Sequence, residues 1–383
     1  MRDYDKIANF HALEQAYYRA RRGKRHKDEV IEFEMHLSQN LMTMLRLLEE
    51  RTYAPLGYYH FVITRPKRRD VYAAYFPDRV VLHAICFEVL AHRLGRHLIH
   101  DNAACQVGKG THFALKRLRR HLHEHYREHG TRGYFYQFDM SKFFESIPHD
   151  RLKAMLTARL PDADVCELLF RFIDNYPPRD TRGLPLLGRP GMGCPLGNQT
   201  SQWFGITYLD ALDKFIVNEL GVTRYSRYMD DGVLVCRDYA HARACEAAIG
   251  SFVADVLGMT LNPKSHVTPV TQGIAYLGWR LWLQDNGHIG QRLKTSVKKD
   301  MTATLRHLYW QCQIGAASWE EFECVFTSYR AHLSYGETHT LIEQLSAKFP
   351  LPPGCEDDLY EGDSCGDNPL PLLDIDFDWI VAG

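Results

Sequence analysis

The sequence predicts a mixed α/β fold of the α+β kind, because helix-like and strand-like segments share its 383 residues. Residues 1–50 and 286–348 carry apolar side chains at helical spacing. Three other segments read as strands or hairpins: Tyr58–Thr64, Tyr134–Met140 and Arg227–Val235. A hydrophobic content of 45% and a charged content of 24% are ordinary for a globular protein with a sizeable core.

The first 50 residues are expected to form a basic helical region. Its apolar stripe, which predicts core packing, consists of Phe33, Met35, Leu37, Leu41, Leu45 and Leu48. Its basic patch consists of Arg19, Arg21, Arg22, Lys24 and Arg25. Those cations form either a solvated face or a nucleic-acid contact, and the sequence leaves both interpretations open.

The net charge of −1 hides an uneven distribution. After Lys348 the chain has no Lys or Arg, but it carries nine of the 47 acidic residues. The preceding part therefore holds 46 basic and 38 acidic residues, a net charge of +8. Such a basic body can neutralise phosphates, while the acidic tail, residues 349–383, is expected to be disordered, to dock on the body or to bind a partner.

Asp230 and Asp231 are the strongest candidate site residues. They lie between an aromatic-Met dipeptide and an apolar β-branched run, which predicts a tight hairpin with both carboxylates near its tip. Two carboxylates so close raise one pKa unless a cation lies between them. The pair therefore predicts a divalent metal site, with Mg²⁺ favoured by hard oxygen ligands; the alternative is an ordinary surface turn.

Asp139 changes the balance between these alternatives. It ends the aromatic strand Tyr134–Met140, where a lone Asp is usually a cap or a turn former. A strand-end Asp upstream of a hairpin Asp pair is, however, what two-metal phosphoryl transfer needs. Asp139 would bridge two ions, with Asp230 or Asp231 completing the cage.

Four motifs in this order resemble the reverse transcriptase family: Phe138–Phe144, Tyr228–Asp231, Leu261–Lys264 and Tyr276–Trp279. The resemblance implies a right-hand polymerase with fingers (51–130), a palm (131–285, with a fingers-like insert) and a helical thumb (286–348). It also implies an RNA-directed DNA polymerase that uses two Mg²⁺ ions, or Mn²⁺. The implied partners are a template RNA, the cDNA primer–template duplex and dNTPs.

The resemblance assigns further residues to the nucleotide site. Lys67 and Arg69 would hold the incoming triphosphate as point charge and fork-shaped donor, unless they form a solvated loop. Phe144 lies where the family places an aromatic ribose gate, with Phe143 beside it as the core residue. Lys264 would protonate the leaving pyrophosphate, and the backbone carbonyl of Met140 would be a further metal ligand.

Seven residues are expected to contact nucleic acid: Arg79, Lys109, Tyr228, Met229, Leu277, Gly278 and Trp279. Lys109 lies in a flexible basic turn and is interpreted as a template-backbone contact. Residues 276–280 read as a hairpin that lays aromatic rings against a primer. The histidines between His121 and His129 favour a solvated polar helix over a metal site, because their spacing spreads them around the helix.

Residues 193–203 discriminate among reverse transcriptases. Leu196 replaces a common Gln, and Gln202 replaces a common Pro, so the segment resembles enzymes of diversity-generating retroelements. Those enzymes copy a template-repeat RNA, misincorporate opposite adenine, and commonly work with a small basic accessory protein oligomer. Leu196, Gly197 and Gln202 are accordingly assigned to the nucleotide pocket. An antiphage reverse transcriptase and a catalytically inactive RNA-binding scaffold are the alternatives.

Composition also bears on location. The chain has ten cysteines and no Cys-x-x-Cys pair, which favours reduced thiols in the cytoplasm. No run of about 18 apolar residues is present, so no membrane partner is expected.

Overall fold

The computed structural model describes residues 2–63, 68–178 and 188–351. The chain divides into two compact units, the first ending at Thr268 and the second beginning at Pro269. Helices and strands occur in both, which confirms the predicted fold class. The finer division into fingers, palm, thumb and tail stays a prediction, and the tail from residue 352 lies outside the described residues.

The first unit opens with α1 (Asp3–Ile7), α2 (Phe10–Ala20), α3 (Asp28–Met35) and α4 (Leu37–Glu49). Within the predicted apolar stripe, Phe33, Leu41 and Leu48 are buried. Met35 is 72% exposed, so its assignment to the core is wrong. The reason is a break in the helix at His36, whose φ of −127° separates α3 from α4 and interrupts the stripe.

The next segment contains β1 (Tyr58–Ile63), β2 (Arg69–Ala74), α5 (Phe76–Ile85), a π-helical turn (Cys86–Leu90), α6 (Ala91–Gly95) and α7 (Thr111–His129). β1 and β2 are antiparallel, as the alternating pattern predicts. Pro77 lies in the first turn of α5, where its missing N–H leaves no helical bond unmade. The buried Asp78 accepts hydrogen bonds from the Tyr53 hydroxyl at 2.7 Å and the Leu56 amide at 2.8 Å.

A four-stranded sheet in the order β4-β5-β3-β6 organises the rest of the first unit. Its strands are β3 (Tyr134–Phe138), β4 (Tyr225–Tyr228), β5 (Asp231–Cys236) and β6 (His266–Pro269). β5 pairs antiparallel with both β3 and β4. The helices of this part are α8 (His149–Arg159), α9 (Ala163–Asp174), α10 (Gln199–Tyr208), α11 (Asp210–Lys214) and α12 (Tyr239–Asp255). A 3₁₀ turn covers Phe143–Ser146, and a π-helical turn covers Phe215–Glu219.

The histidine-rich helix α7 packs against β4 and β5. His121 and His125 are buried, so the prediction that all these imidazoles are solvated is wrong. His121 Nε2 lies 2.9 Å from the Asp101 carboxylate, and His125 Nε2 lies 2.7 Å from the Arg132 carbonyl oxygen. Residues four apart share one helix face, and here that face is turned to the sheet.

The second unit combines an antiparallel meander with three helices. Its elements are β7 (Ile274–Tyr276), β8 (Trp279–Leu283), β9 (Ile289–Leu293), α13 (Thr295–Gln313), α14 (Trp319–Leu333) and α15 (His339–Lys348). Across the described ranges, no helix combines the length and apolar character needed to cross a membrane.

Candidate active site

Asp230 lies in the turn of the β4–β5 hairpin. Tyr228 pairs with Asp231, which leaves a two-residue turn of Met229 and Asp230. Met229 has φ of +53°, the left-handed conformation that such tight turns require at their first residue. The predicted hairpin with the Asp pair at its tip is therefore confirmed.

Asp139 follows the end of β3 directly. Phe138 lies opposite Gly232 in the antiparallel β3–β5 ladder, so the next position along brings Asp139 alongside Asp231. Gly232 makes this approach possible, because a Cβ there would lie 2.2 Å from the Phe138 ring. Glycine between the Asp pair and the apolar strand thus lets the aromatic ring of β3 pack flat against β5.

Asp139 and Asp230 are electrostatic neighbours. Burial, followed by the neighbouring Asp139 carboxylate, raises the pKa of Asp230 well above its usual range. Asp231 is held differently, because its carboxylate accepts a hydrogen bond from the Gln137 amide at 3.1 Å. In the parts of the chain that the structure describes, no three His, Cys, Asp or Glu side chains are arranged to hold a metal ion.

Asn262 orients Asp139, and the sequence analysis did not identify this role. Its side-chain amide donates to Asp139 Oδ2 at 3.0 Å, and its backbone N–H donates to the Asp139 carbonyl at 2.7 Å. Its Oδ1 in turn accepts from the Lys264 amide at 3.1 Å, while the Lys264 side chain is exposed. The predicted lysine motif is therefore connected to Asp139 through Asn262. The position of Asn262, two residues before Lys264 in the same motif, was the sequence signal that could have identified it.

Met140 pairs with Leu261 in an isolated antiparallel bridge. The two backbone bonds that flank this bridge run from Asn262 N–H to the Asp139 carbonyl and from Ser141 N–H to the Thr260 carbonyl. Neither bond uses the Met140 carbonyl, so these contacts are compatible with its predicted role as a ligand.

The structure brings Phe144 together with the loop that contains Leu196. Cys194 N–H donates to the Phe144 carbonyl at 2.7 Å, and the Ser201 hydroxyl closes the loop by donating to the Pro195 carbonyl at 2.7 Å. Leu196 is half-buried beside Gly197, which is exposed and has φ of +99°. Phe143 is buried, as predicted, whereas Phe144 is only partly covered.

Gln202, on α10, is connected to the β4–β5 hairpin through Cys105. Its side-chain oxygen accepts from the Cys105 thiol at 3.4 Å, and the same sulfur lies 3.9 Å from the Met229 sulfur. Cys105 itself has a left-handed φ of +55°. This contact gives Gln202 a neighbour that the sequence analysis did not anticipate.

The predicted basic contacts have different environments. Lys67 and the side chain of Arg69 lie outside the described residues. Arg79 forms an ion pair with Glu29 and lies over the Phe76 ring at 5.2 Å. The Lys109 ammonium donates within its own loop, to the His100 and Asn102 carbonyls and to the Gln106 side chain. Their roles in nucleic-acid binding stay predictions.

The second hairpin, β7–β8, contains the predicted primer-grip residues. Leu277 and Gly278 form its turn, with φ of +48° and +82°. Trp279 is fully buried against the His332 ring, at 5.5 Å between centroids. A Cβ on Gly336 would lie 2.2 Å from the indole, so this ring belongs to the core of the second unit. The prediction that Trp279 lays its ring against a primer is wrong for this reason.

Arg227 is the other residue that the sequence analysis missed. It is fully buried beside the β4–β5 turn, and its guanidinium donates to the buried Asp213 carboxylate and to the Met229 carbonyl. The sequence signal that could have identified it is an arginine within a strand that otherwise belongs to the core, since a buried charge requires a buried partner.

A sheet that presents carboxylates from a strand end and from an adjacent hairpin tip is typical of the palm of nucleic-acid polymerases. Residues 82–281, more than half of the chain, match the family model described as reverse transcriptase (RNA-dependent DNA polymerase). The chain belongs to this family, which confirms the resemblance at the family level. The matched segment contains Asp139, Asp230 and Asp231.

Three solved structures resemble the chain at low sequence identity. Apo telomerase from Candida Tropicalis is 12% identical, with a TM-score of 0.50, and the match covers 78% of this chain and 60% of the telomerase chain. Telomerase from Candida albicans, in complex with a fragment of telomeric RNA, is 13% identical with a TM-score of 0.49, over 79% and 60%. A partial Cas6-RT-Cas1–Cas2 complex has 17% identity and a TM-score of 0.38, over 68% and 44%. The chain thus spans 60% of the length of these telomerase chains, and no curated protein matches it.

Proposed function

We propose that this protein is an RNA-directed DNA polymerase, which extends a primer by copying a template RNA. The observation that carries the proposal is the strand pairing that sets Asp139, at the end of β3, alongside the turn of Asp230 and Asp231, within the segment that matches the reverse transcriptase family. A carboxyl pair of this kind at a strand end and a hairpin tip suits nucleotidyl transfer.

Asp139 and Asp230 fit a divalent cation. Neighbouring carboxylates repel each other, and a divalent ion between them would relieve this repulsion and find hard oxygen ligands. Asp231 would join them by exchanging the Gln137 amide for the ion, and the Met140 carbonyl would add a further oxygen. Two Mg²⁺ ions, or Mn²⁺, would supply charge stabilisation for the attacking and leaving oxygens.

The protein's own side chains would position the reactants. The 3′-hydroxyl oxygen of the primer loses its proton to water and attacks the α-phosphorus of a dNTP, and the bond to the bridging oxygen breaks as pyrophosphate leaves. Lys264, held beside Asp139 through Asn262, would donate a proton to the pyrophosphate. Lys67 and Arg69 would bind the triphosphate, and Phe144 would exclude a 2′-hydroxyl.

Asp230→Asn tests the proposal. Primer extension on an RNA template should fall about 1,000-fold or more, because a group that stabilises the transition state is lost. Asp150→Asn, an exposed position at the start of α8, is the control and should retain activity. Full extension by the Asp230 variant would contradict the proposal.

A stability measurement on the same variant distinguishes a loss of activity from a loss of folding. Because the pKa of Asp230 is raised in the folded protein, its stabilising effect is complete below about pH 4 and is lost as pH rises through the raised pKa. In Mg²⁺-free buffer, the Asp230→Asn variant should therefore lose less stability than the parent protein as pH rises. Urea unfolding at several pH values measures this difference.

We further propose that the enzyme belongs to a diversity-generating retroelement and is error-prone at template adenines. The pattern from Leu196 to Gln202 supports this subtype, and the hydrogen bond between the Leu196 loop and the Phe144 backbone is consistent with both residues lining one nucleotide pocket. Leu196 cannot donate a hydrogen bond, so discrimination between base pairs would lose about 1 kcal/mol, roughly fivefold.

Leu196→Gln should lower misincorporation opposite adenine about fivefold, with little change opposite the other bases. Sequencing of cDNA made by the parent and the variant measures this ratio. An unchanged adenine error rate would contradict the pocket explanation. Independently, a template repeat beside a near-copy that differs at adenines in the neighbouring DNA would support gene diversification, and its absence would favour antiphage defence.

A small basic accessory protein oligomer is the partner that this subtype implies. The acidic segment 349–383 has the complementary charge for such a protein. Deletion of residues 352–383 should abolish co-purification of the accessory protein in low salt while primer extension on a short template continues. Undiminished association would remove the tail from the interface.

A further inference from the structure

We propose that Arg227 is a positioning residue for Asp230, and that its buried ion pair with Asp213 fixes the backbone of the catalytic turn. The inference rests on the proposed function for its kinetic consequence, but its structural consequence can be measured without any activity. It assigns a role to two residues that are not among the proposed metal ligands.

The ion pair itself is fully enclosed. Both Arg227 and Asp213 have no exposed side-chain surface. Arg227 Nε donates to Asp213 Oδ1 at 2.7 Å, and one terminal nitrogen donates to Asp213 Oδ2, so the contact is bidentate. The Tyr225 hydroxyl donates to the same Oδ1 at 2.8 Å. A planar guanidinium that is bonded through two of its nitrogens has a fixed orientation, which a lysine would not reproduce.

The remaining donors of the Arg227 guanidinium reach the β4–β5 turn and α10. A terminal nitrogen of Arg227 donates to the Met229 carbonyl, and the other also donates to the Ile206 carbonyl at 3.1 Å. The Met229 carbonyl belongs to the peptide that links Met229 to Asp230. A shift of that peptide moves the Asp230 backbone directly, so the guanidinium sets where the carboxylate lies.

The backbone of Arg227 is fixed as well. Its N–H donates to the Asp101 carbonyl at 3.1 Å, and its carbonyl accepts from Ala103 N–H at 2.9 Å. Strand β4 is therefore bonded on both edges, to β5 on one side and to the 101–103 segment on the other. Because the backbone of Arg227 is fixed on both sides, its guanidinium is suited to hold a turn whose first residue is left-handed.

A purely structural role is the competing explanation. Well-packed apolar residues often stabilise a core as well as a buried ion pair does, so stability alone does not explain an arginine here. A requirement for orientation explains it, because groups that orient metal ligands typically change metal affinity or activity by about 10-fold to 100-fold when removed.

The same helix offers a matched control. Asp210 and Asp213 both lie on α11 and both are fully buried. Asp210 accepts from Arg159 and from Lys214, each at 2.7 Å. Arg159 also donates to the Thr207 carbonyl, so the bonds given for these two cations run to the α10–α11 region. Asp210→Asn therefore removes a buried carboxylate near Arg227 while the bidentate Arg227–Asp213 contact stays in place.

The experiment compares Asp213→Asn, Arg227→Lys and Asp210→Asn in the full chain. Hydrogen exchange of the peptide spanning residues 225–236 is measured without metal or nucleic acid. Exchange of this peptide should rise about tenfold in the first two variants and stay at the parent level in Asp210→Asn. Equal exchange in all three, or no rise in Asp213→Asn, overturns the positioning role whatever the protein catalyses.

Primer extension then gives the kinetic half of the test. Asp213→Asn and Arg227→Lys should lower kcat by about 10-fold to 100-fold and raise the half-saturating Mg²⁺ concentration, with a smaller change in the KM for dNTP. Asp210→Asn should leave kcat and the Mg²⁺ midpoint unchanged below its melting temperature. An unchanged Mg²⁺ midpoint in a folded Arg227→Lys variant contradicts the inference, and if Asp213→Asn does not fold, that conservative variant decides.

Discussion

Two hairpins in separate units of this protein each begin a two-residue turn with a left-handed residue. The β4–β5 hairpin turns through Met229 and Asp230, and the β7–β8 hairpin turns through Leu277 and Gly278. The first turn residue is left-handed in both, with φ of +53° and +48°. The four-residue segments that contain these turns are Tyr-Met-Asp-Asp and Tyr-Leu-Gly-Trp. They differ in their side chains: the first has two carboxylates, and the second has none.

The hairpins are stabilised in opposite ways. In the second, the flanking Tyr276 and Trp279 are buried and Leu277 is only 6% exposed, so the turn is held by its own core. In the first, Tyr228 and Asp230 are only partly covered. Because the packing of Tyr228 and Met229 on the core covers this turn only partly, the hydrogen bond from Arg227 to the Met229 carbonyl has a larger part in holding it. The difference shows how similar local patterns can serve chemistry in one place and the core in another.

The largest expected effect tests the core role of the second hairpin. Trp279→Ala should destabilise the second unit by about 3–5 kcal/mol, because a fully buried indole leaves a cavity. Trp310→Ala, which removes a 52% exposed ring from α13, should cost less than about 0.5 kcal/mol. Urea unfolding measures both. A similar small cost for the two would show that Trp279 is not a core residue.

A smaller effect tests how the first hairpin is built. Gly232→Ala should destabilise the first unit by about 1–3 kcal/mol and reduce primer extension, since the new Cβ would collide with the Phe138 ring and push β3 from β5. Gly250→Ala on α12 is the control. Its Cβ would have only Leu261 at 4.0 Å, so helix propensity should stabilise it by about 1 kcal/mol. Destabilisation of both variants alike would point away from the Phe138 contact.

Local patterns were sufficient for the backbone of both hairpins and for Asp139. Apolar alternation, an intervening polar pair and a strand-end carboxylate are properties of a few neighbouring residues. The sequence could therefore predict that Asp139 and the Asp230 turn exist, and the family motifs placed them in one site.

Side-chain environments depended on partners that are distant in the chain. Asn262 lies 123 residues from the Asp139 that it orients, and nothing local indicates the pairing. Trp279 was predicted to face a primer because a strand pattern does not tell which of its faces is covered by α14. Met35 was assigned to the core because a helical stripe was continued across a break whose position depends on the backbone of His36.

The smallest effect compares the two turns themselves. Gly278 has φ of +82°, so Gly278→Ala should cost the second unit about 1 kcal/mol in its free energy of unfolding. Met229→Gly removes a side chain from a left-handed position and should stabilise the first unit by up to about 1 kcal/mol, less the contacts of the partly buried methionine. Primer extension by Met229→Gly should nevertheless fall, because a glycine beside Asp230 gives the turn freedom that the Arg227 contact opposes. Thermal unfolding of the two variants measures the backbone strain in each turn. Primer extension measures whether the turn conformation matters for activity. A Met229→Gly variant that gains stability and keeps full activity would mean that the catalytic turn needs no more rigidity than its counterpart.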